Sequence, residues 1–120
     1  MKKAKLYKKI RYALGYPIIR INLCDDQMNT MLEIATEDID LICQKHQKKL
    51  PKKLKETLII TLAIAETKKA FARTRLMYST PDPDKIIIDY EKLITDAKET
   101  AQLIYDLIPK LDIYYKNEQW

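Results

Sequence analysis

The chain has 120 residues and a net charge of +5, with hydrophobic residues at 47% and charged residues at 32%. This length suits one domain, and this composition excludes both a disordered segment and a membrane protein. Glycine occurs once and the prolines lie outside the long apolar-periodic stretches, which indicates helices rather than many β-turns. No apolar run reaches the roughly 18 residues that span a bilayer, and no signal-peptide pattern is present. We therefore expect neither a membrane partner nor secretory export.

The first half of the chain predicts two helices and one extended segment. Apolar residues at helical spacing predict a short basic helix over 2–14, which Gly15 can end. Residues 19–23 alternate apolar and polar side chains, a pattern typical of a short extended segment. A second, amphipathic helix with an acidic back begins after Cys24, because Gln27 occupies the capping-box position.

The second half predicts two further helices. The third, roughly 52–78, is apolar on nearly all sides in its middle, so it must be surrounded by other protein. Pro81 and Pro83 then interrupt the helical pattern. The fourth helix runs to about residue 108 and carries a near-heptad seam suited to lengthwise packing against another helix. The seam consists of Tyr90, Ile94, Ala97, Ala101, Ile104 and Ile108.

These elements predict an all-α fold: a bundle of about four helices, with one short extended segment after the first helix and an extended C-terminal tail. We assign residues 1–109 to the helical domain and 110–120 to the tail. Aromatic residues in a short terminal segment are well placed to anchor in a partner's pocket, although a disordered tail is the alternative. The candidate docking residues are Ile113, Tyr114, Tyr115 and Trp120.

Charge is segregated along the chain. Residues 1–11 carry six Lys/Arg and no acid, whereas residues 24–43 carry six Asp/Glu and no Lys/Arg. Blocks of this kind form solvated faces, pair with oppositely charged protein surfaces, or neutralise nucleic-acid phosphates. Tyr7 and Tyr12 interleave with the first block, as base-stacking residues would. A second basic block offers six lysines to nucleic acid or to an acidic partner: Lys45, Lys48, Lys49, Lys52, Lys53 and Lys55.

Few residues suggest catalysis. The single histidine, His46, lies among lysines, and no phosphate-binding glycine loop, nucleophile elbow or cysteine pair with metal-ligand spacing is present. Glu33, Glu37 and Asp40 follow the i, i+4, i+7 spacing of one helix face, which fits either a metal site or an acidic stripe facing solvent or a partner. The second interpretation is favoured, and we expect neither enzymatic activity nor a cofactor.

A run of residues between the first two helices resembles the start of tailed-bacteriophage neck and head-to-tail connector (adaptor) proteins. In that family a short helix, an "LG-x-P" turn and an extended "v-x-v-x-L-x-D-x-Q" segment precede a helix bundle. This chain has Cys24 where Thr or Ser is usual and Asn22 where Glu is frequent. The matching residues are Arg11, Leu14, Gly15, Pro17, Ile19, Ile21, Leu23, Asp25 and Gln27.

The resemblance implies a structural virion protein in the neck region, made in the host cytoplasm. Identical subunits would form a ring, a dodecamer in many members, clamped beneath the portal protein and followed by a tail or stopper protein. DNA would pass through the channel during packaging and ejection without sequence-specific binding. By the same resemblance, the C-terminal segment is the part that reaches into the portal.

A different class of function remains open from the residues alone. The two lysine blocks also suit a small basic helical DNA-binding or regulatory protein, whose affinity for DNA would fall steeply with added salt. A third interpretation, a helical metal or small-molecule binder at Glu33, Glu37 and Asp40, predicts stoichiometric metal in the purified protein.

Overall fold

A computed structural model describes residues 3–14, 24–78 and 89–112. These ranges contain four helices and no strand: α1 (Lys3–Leu14), α2 (Asp25–His46), α3 (Lys52–Tyr78) and α4 (Tyr90–Lys110). The predicted all-α bundle of about four helices is therefore confirmed. The predicted extended segment over 19–23 and the docking residues at 113–120 lie outside the described residues.

Helix α3 is the centre of the bundle. It packs most extensively against α4 and α2, and α1 also contacts it. Leu62 and Ala63 from its apolar middle are almost fully buried, and the core that they join takes residues from all four helices. The expectation that this helix is surrounded is met in part inside one copy of the chain, because Ile59 and Ile60 of its apolar middle are only partly buried.

The N-terminal end of α2 is stabilised by side chains from two directions. Gln27 Oε1 accepts a hydrogen bond from the Cys24 backbone N–H at 3.1 Å, the reach-back half of the predicted capping box. Arg11 on α1 pairs with Asp25, Nη2 to Oδ1 at 2.9 Å. Asp25 and Asp26 in this first turn also interact favourably with the positive end of the helix dipole. These contacts attach α1 to the start of α2.

Helix α2 ends in a left-handed turn at a residue other than glycine. Gln47 has φ 54° and ψ 40°, a conformation that normally favours Gly or Asn. The Lys48 backbone N–H donates to the Cys43 carbonyl at 2.8 Å, and the Gln47 backbone N–H donates to the Gln44 carbonyl at 3.3 Å. This Schellman arrangement turns the chain sharply, and Lys48 becomes buried.

Helix α4 packs its near-heptad seam against α3 of the same chain. Ala97, Ala101, Ile104 and Ile108 are buried, and the Tyr90 ring lies 5.9 Å from that of Phe71 between centroids. The lengthwise partner that the seam predicted is therefore intramolecular. For this reason the seam gives no evidence of contact with a neighbouring subunit.

The end of α4 lies beyond the predicted position near residue 108. The helix continues through Pro109 to Lys110, because proline has a helix-compatible φ and removes only one backbone donor in the last turn. Leu111 follows as the C-cap and packs against the core. The first residues that the sequence assigned to the tail thus belong to the folded bundle.

Candidate functional site

Residues of helices α1, α2 and α3 line an open groove of about 500 Å³. Its apolar lining comes from all three helices: Leu6 on α1, Leu32 on α2, and Ile59 with Ile60 on α3. Polar residues of α2 and α3 complete the wall: Asn29, Glu33, Thr36, Glu37 and Glu56. The groove therefore combines an apolar surface with carboxylates.

The three glutamates in this groove carry unneutralised charge. Glu33 Oε1 accepts a hydrogen bond from Asn29 Nδ2 at 3.2 Å. None of Glu33, Glu37 and Glu56 forms an ion pair with another residue in the ranges that the structure describes. A groove that combines apolar surface with carboxylates suits a ligand or partner that offers apolar surface and cations together.

The acidic stripe predicted from the sequence divides between two environments. Glu33 and Glu37 line the groove, whereas Asp40 pairs with Lys55, Oδ1 to Nζ at 2.7 Å. Over 3–14, 24–78 and 89–112, no group of three His, Cys, Asp or Glu residues is arranged to hold a metal ion. The geometry of the described residues thus gives no support to a metal site at Glu33, Glu37 and Asp40.

The outer face of α1 is the second charged surface. Lys5, Lys8 and Lys9 are exposed and line a shallow depression together with Tyr12, whose side chain is 72% exposed. Tyr7 does not share this face. It is buried, and its hydroxyl donates to Asn29 Oδ1 at 3.3 Å.

The second basic block does not form one continuous exposed surface. Lys48 is only 4% exposed, and its ammonium donates to the Leu111 carbonyl, so the predicted contact of this lysine with nucleic acid or an acidic partner is wrong. Lys55 is half-buried and pairs with Asp40. Four lysines remain exposed around the connection between α2 and α3: Lys45, Lys49, Lys52 and Lys53.

Two helices also expose large apolar side chains. Leu103 and Leu107 lie one turn apart on α4, at 70% and 41% exposure. Ile34 and Leu41 lie two turns apart on α2 and are also exposed. Exposed apolar residues at helical spacing are the surface that a partner would cover, although isolated ones are common on soluble proteins.

Two polar groups between the helices have altered acidity. Burial raises the pKa of the Cys43 thiol above its ordinary 9.0, with Asp40 adding to the effect and Lys55 opposing it. Burial also raises the pKa of Tyr105, and the nearby Asp38 carboxylate reinforces this, since the Tyr105 hydroxyl donates to Asp38 Oδ2 at 3.5 Å. Both groups are therefore neutral at physiological pH. His46, at the end of α2, is exposed.

Comparisons with protein-family models, with curated proteins and with solved structures gave no match. Within the described part of the chain, no helix is both long enough and apolar enough to cross a bilayer. The features that can support a function are the lysine face of α1, the groove with its glutamates, the exposed lysines between α2 and α3, and the exposed apolar residues of α2 and α4.

Proposed function

We propose that this chain is a structural subunit of a bacteriophage neck, forming a head-to-tail connector ring that docks on the portal and lets DNA pass. The observation that carries the proposal is the pair of oppositely charged surfaces on one small bundle. The α1 face presents lysines, and the groove presents glutamates that lack ion-pair partners among the described residues. Surfaces of this kind direct association between protein subunits.

Two further observations support this proposal. The residues from Arg11 to Gln27 resemble the start of connector proteins, and Arg11 pairs with Asp25 within that stretch. Leu103 and Leu107 expose apolar surface on α4, which a neighbouring subunit would cover at an interface. The role is structural rather than catalytic, and its partners are identical copies, the portal protein, and a tail or stopper protein.

Imaging of virus particles assembled in cells that produce this chain tests the proposal. We expect the chain to occupy a ring between head and tail, a dodecamer if the resemblance extends to subunit number. Docking of Ile113, Tyr114, Tyr115 and Trp120 on the portal is part of the same proposal, and deletion of residues 113–120 should abolish portal binding. Purified particles that contain no copy of the chain would contradict it.

A second candidate function is a small basic DNA-binding or regulatory protein. The observation that favours it is the set of four exposed lysines around the connection between α2 and α3: Lys45, Lys49, Lys52 and Lys53. Lysines of this kind bind phosphates through counterion release, so the affinity should fall steeply with salt. Filter binding to duplex DNA should then weaken when all four become alanine, and less when Lys5, Lys8 and Lys9 do. Retention that does not depend on salt would remove this candidate.

A further inference from the structure

We infer that the α1 face of one copy docks in the groove of a second copy, with Tyr12 as its apolar anchor. The docking residues on α1 are Lys5, Lys8, Lys9 and Tyr12, and the receiving residues are Glu33, Glu37 and Glu56 with the apolar lining between them. This inference deepens the proposed function, since it rests on assembly between copies and names the two surfaces that meet.

The charges of the two surfaces are complementary. Lys5, Lys8 and Lys9 form no ion pair within the described part of the chain, and neither do the three glutamates. Two ion pairs lie beside these surfaces and involve other residues: Arg11 pairs with Asp25 and Lys55 pairs with Asp40. Among the described residues, the α1 surface thus offers three exposed lysines without an ion pair, and the groove offers three glutamates without one, so the two surfaces carry opposite charge.

The apolar parts of the two surfaces also match. Tyr12 is 72% exposed although it lies on a helix that buries Tyr7, Ile10 and Leu14. A tyrosine is a frequent interface anchor, because its ring buries large area at a small cost in conformational entropy. The groove offers about 500 Å³ with an apolar lining, which is ample for one aromatic side chain.

The placement of the two surfaces excludes docking within one copy. Helix α1 already lines the groove through Leu6, while Tyr7, Ile10 and Leu14 turn inward and so hold the lysine face away from the body. Each copy therefore presents one donor surface and one receiving surface at different positions. A contact of this heterologous type continues from copy to copy and ends in a closed ring or in an open filament.

Charge reversal with rescue tests this interface. One variant carries Lys5→Glu, Lys8→Glu and Lys9→Glu, and the other carries Glu33→Lys, Glu37→Lys and Glu56→Lys. We expect the wild-type full-length chain to associate with a concentration dependence that salt weakens. Each variant alone should need at least about tenfold higher concentration to associate, since several ion pairs become repulsive contacts. An equimolar mixture should recover association, because each altered surface then finds a complementary one.

The measurement is sedimentation equilibrium over a concentration series that reaches about 1 mM, a range in which even weak complexes form. A control variant with Asp96→Lys and Glu99→Lys on the exposed side of α4 has reversed charge outside both surfaces and should associate like the wild type. Tyr12→Ala should also weaken association. Recovery in the mixture excludes misfolding as the reason for the loss, because an unfolded variant cannot be rescued by a second one.

Three outcomes overturn the inference: a wild-type chain that stays monomeric over the whole series, variants that associate as well as the wild type, or a mixture that shows no recovery. The proposed connector function fails separately. Rescued association into open filaments would support this interface and contradict a ring. A ring that still forms in the particle with either charge-reversed variant would support the connector function and contradict this interface.

Discussion

Lys48 joins the connection between α2 and α3 to the end of α4 through its ammonium group, which donates to the carbonyl of Leu111. The two residues are 63 positions apart, and Lys48 is only 4% exposed. A cation at this position also complements the negative end of the α4 dipole. The contact therefore holds the end of α4 against the turn that follows α2.

Replacement of Lys48 by methionine should destabilise the protein. The variant keeps an apolar stem of similar length but leaves the Leu111 carbonyl without this donor, so we expect a loss of about 1–3 kcal/mol in the free energy of unfolding. Urea denaturation followed by circular dichroism measures it. Lys49→Met, at the exposed neighbouring position, is the matched control and should stay within about 0.5 kcal/mol of the wild type. Equal effects of the two substitutions would contradict the role of Lys48.

The two leucines Leu62 and Leu103 should differ sharply when each is changed to alanine. Leu62 lies on α3 at 0% exposure, whereas Leu103 lies on α4 at 70% exposure. Leu62→Ala should cost about 2–5 kcal/mol, because it removes buried methyl groups and leaves a cavity. Leu103→Ala should cost less than about 0.5 kcal/mol in the free chain. Thermal unfolding of both variants checks the contrast, and a tolerant Leu62 would show that α3 is not the centre of the bundle.

Gln47→Gly should stabilise the chain. Gln47 has a positive φ of 54°, a conformation that costs a residue with a Cβ about 1 kcal/mol relative to glycine. Glycine also increases the entropy of the unfolded chain, so the net gain should be only about 0.5 kcal/mol. The shift of the denaturation midpoint measures this gain. A clear loss of stability would indicate that the Gln47 side chain makes a contact that outweighs the strain.

Cys43 should make stability fall in alkaline solution. Because burial raises the pKa of its thiol in the folded state, the unfolded chain ionises first as the pH rises through the ordinary value of 9.0. The stabilising contribution is complete below pH 9 and is lost above it. The stability advantage of the wild type over Cys43→Ala should therefore shrink between pH 8 and pH 10. An advantage that is constant with pH would contradict the burial of this thiol.

The sequence predicted the helices well, since their signals are local. The start of α2 depends on Cys24 and Gln27, three residues apart, and the enclosed position of α3 follows from its apolar middle. The end of α4 was less predictable. Pro109 normally indicates a break, but in the last turn it costs one donor only, and Leu111 continues into the core.

The candidate surfaces depended on tertiary structure and were predicted only in part. Six lysines in one block looked equivalent in sequence, yet the left-handed turn at Gln47 buries Lys48. Glu33 and Glu37 were recognised as sharing a face, but the approach of Glu56 from α3 requires the packing of two helices. The seam of α4 indicated a helical partner correctly, and its period carries no information on whether that partner belongs to the same chain.

The most direct test of the connector function is the mass of the full-length chain measured by light scattering with and without the purified portal protein. We expect a monomer or weak oligomer alone and a complex with several copies of the chain on each portal ring. A chain that remains monomeric and unbound at every ratio to the portal would contradict it.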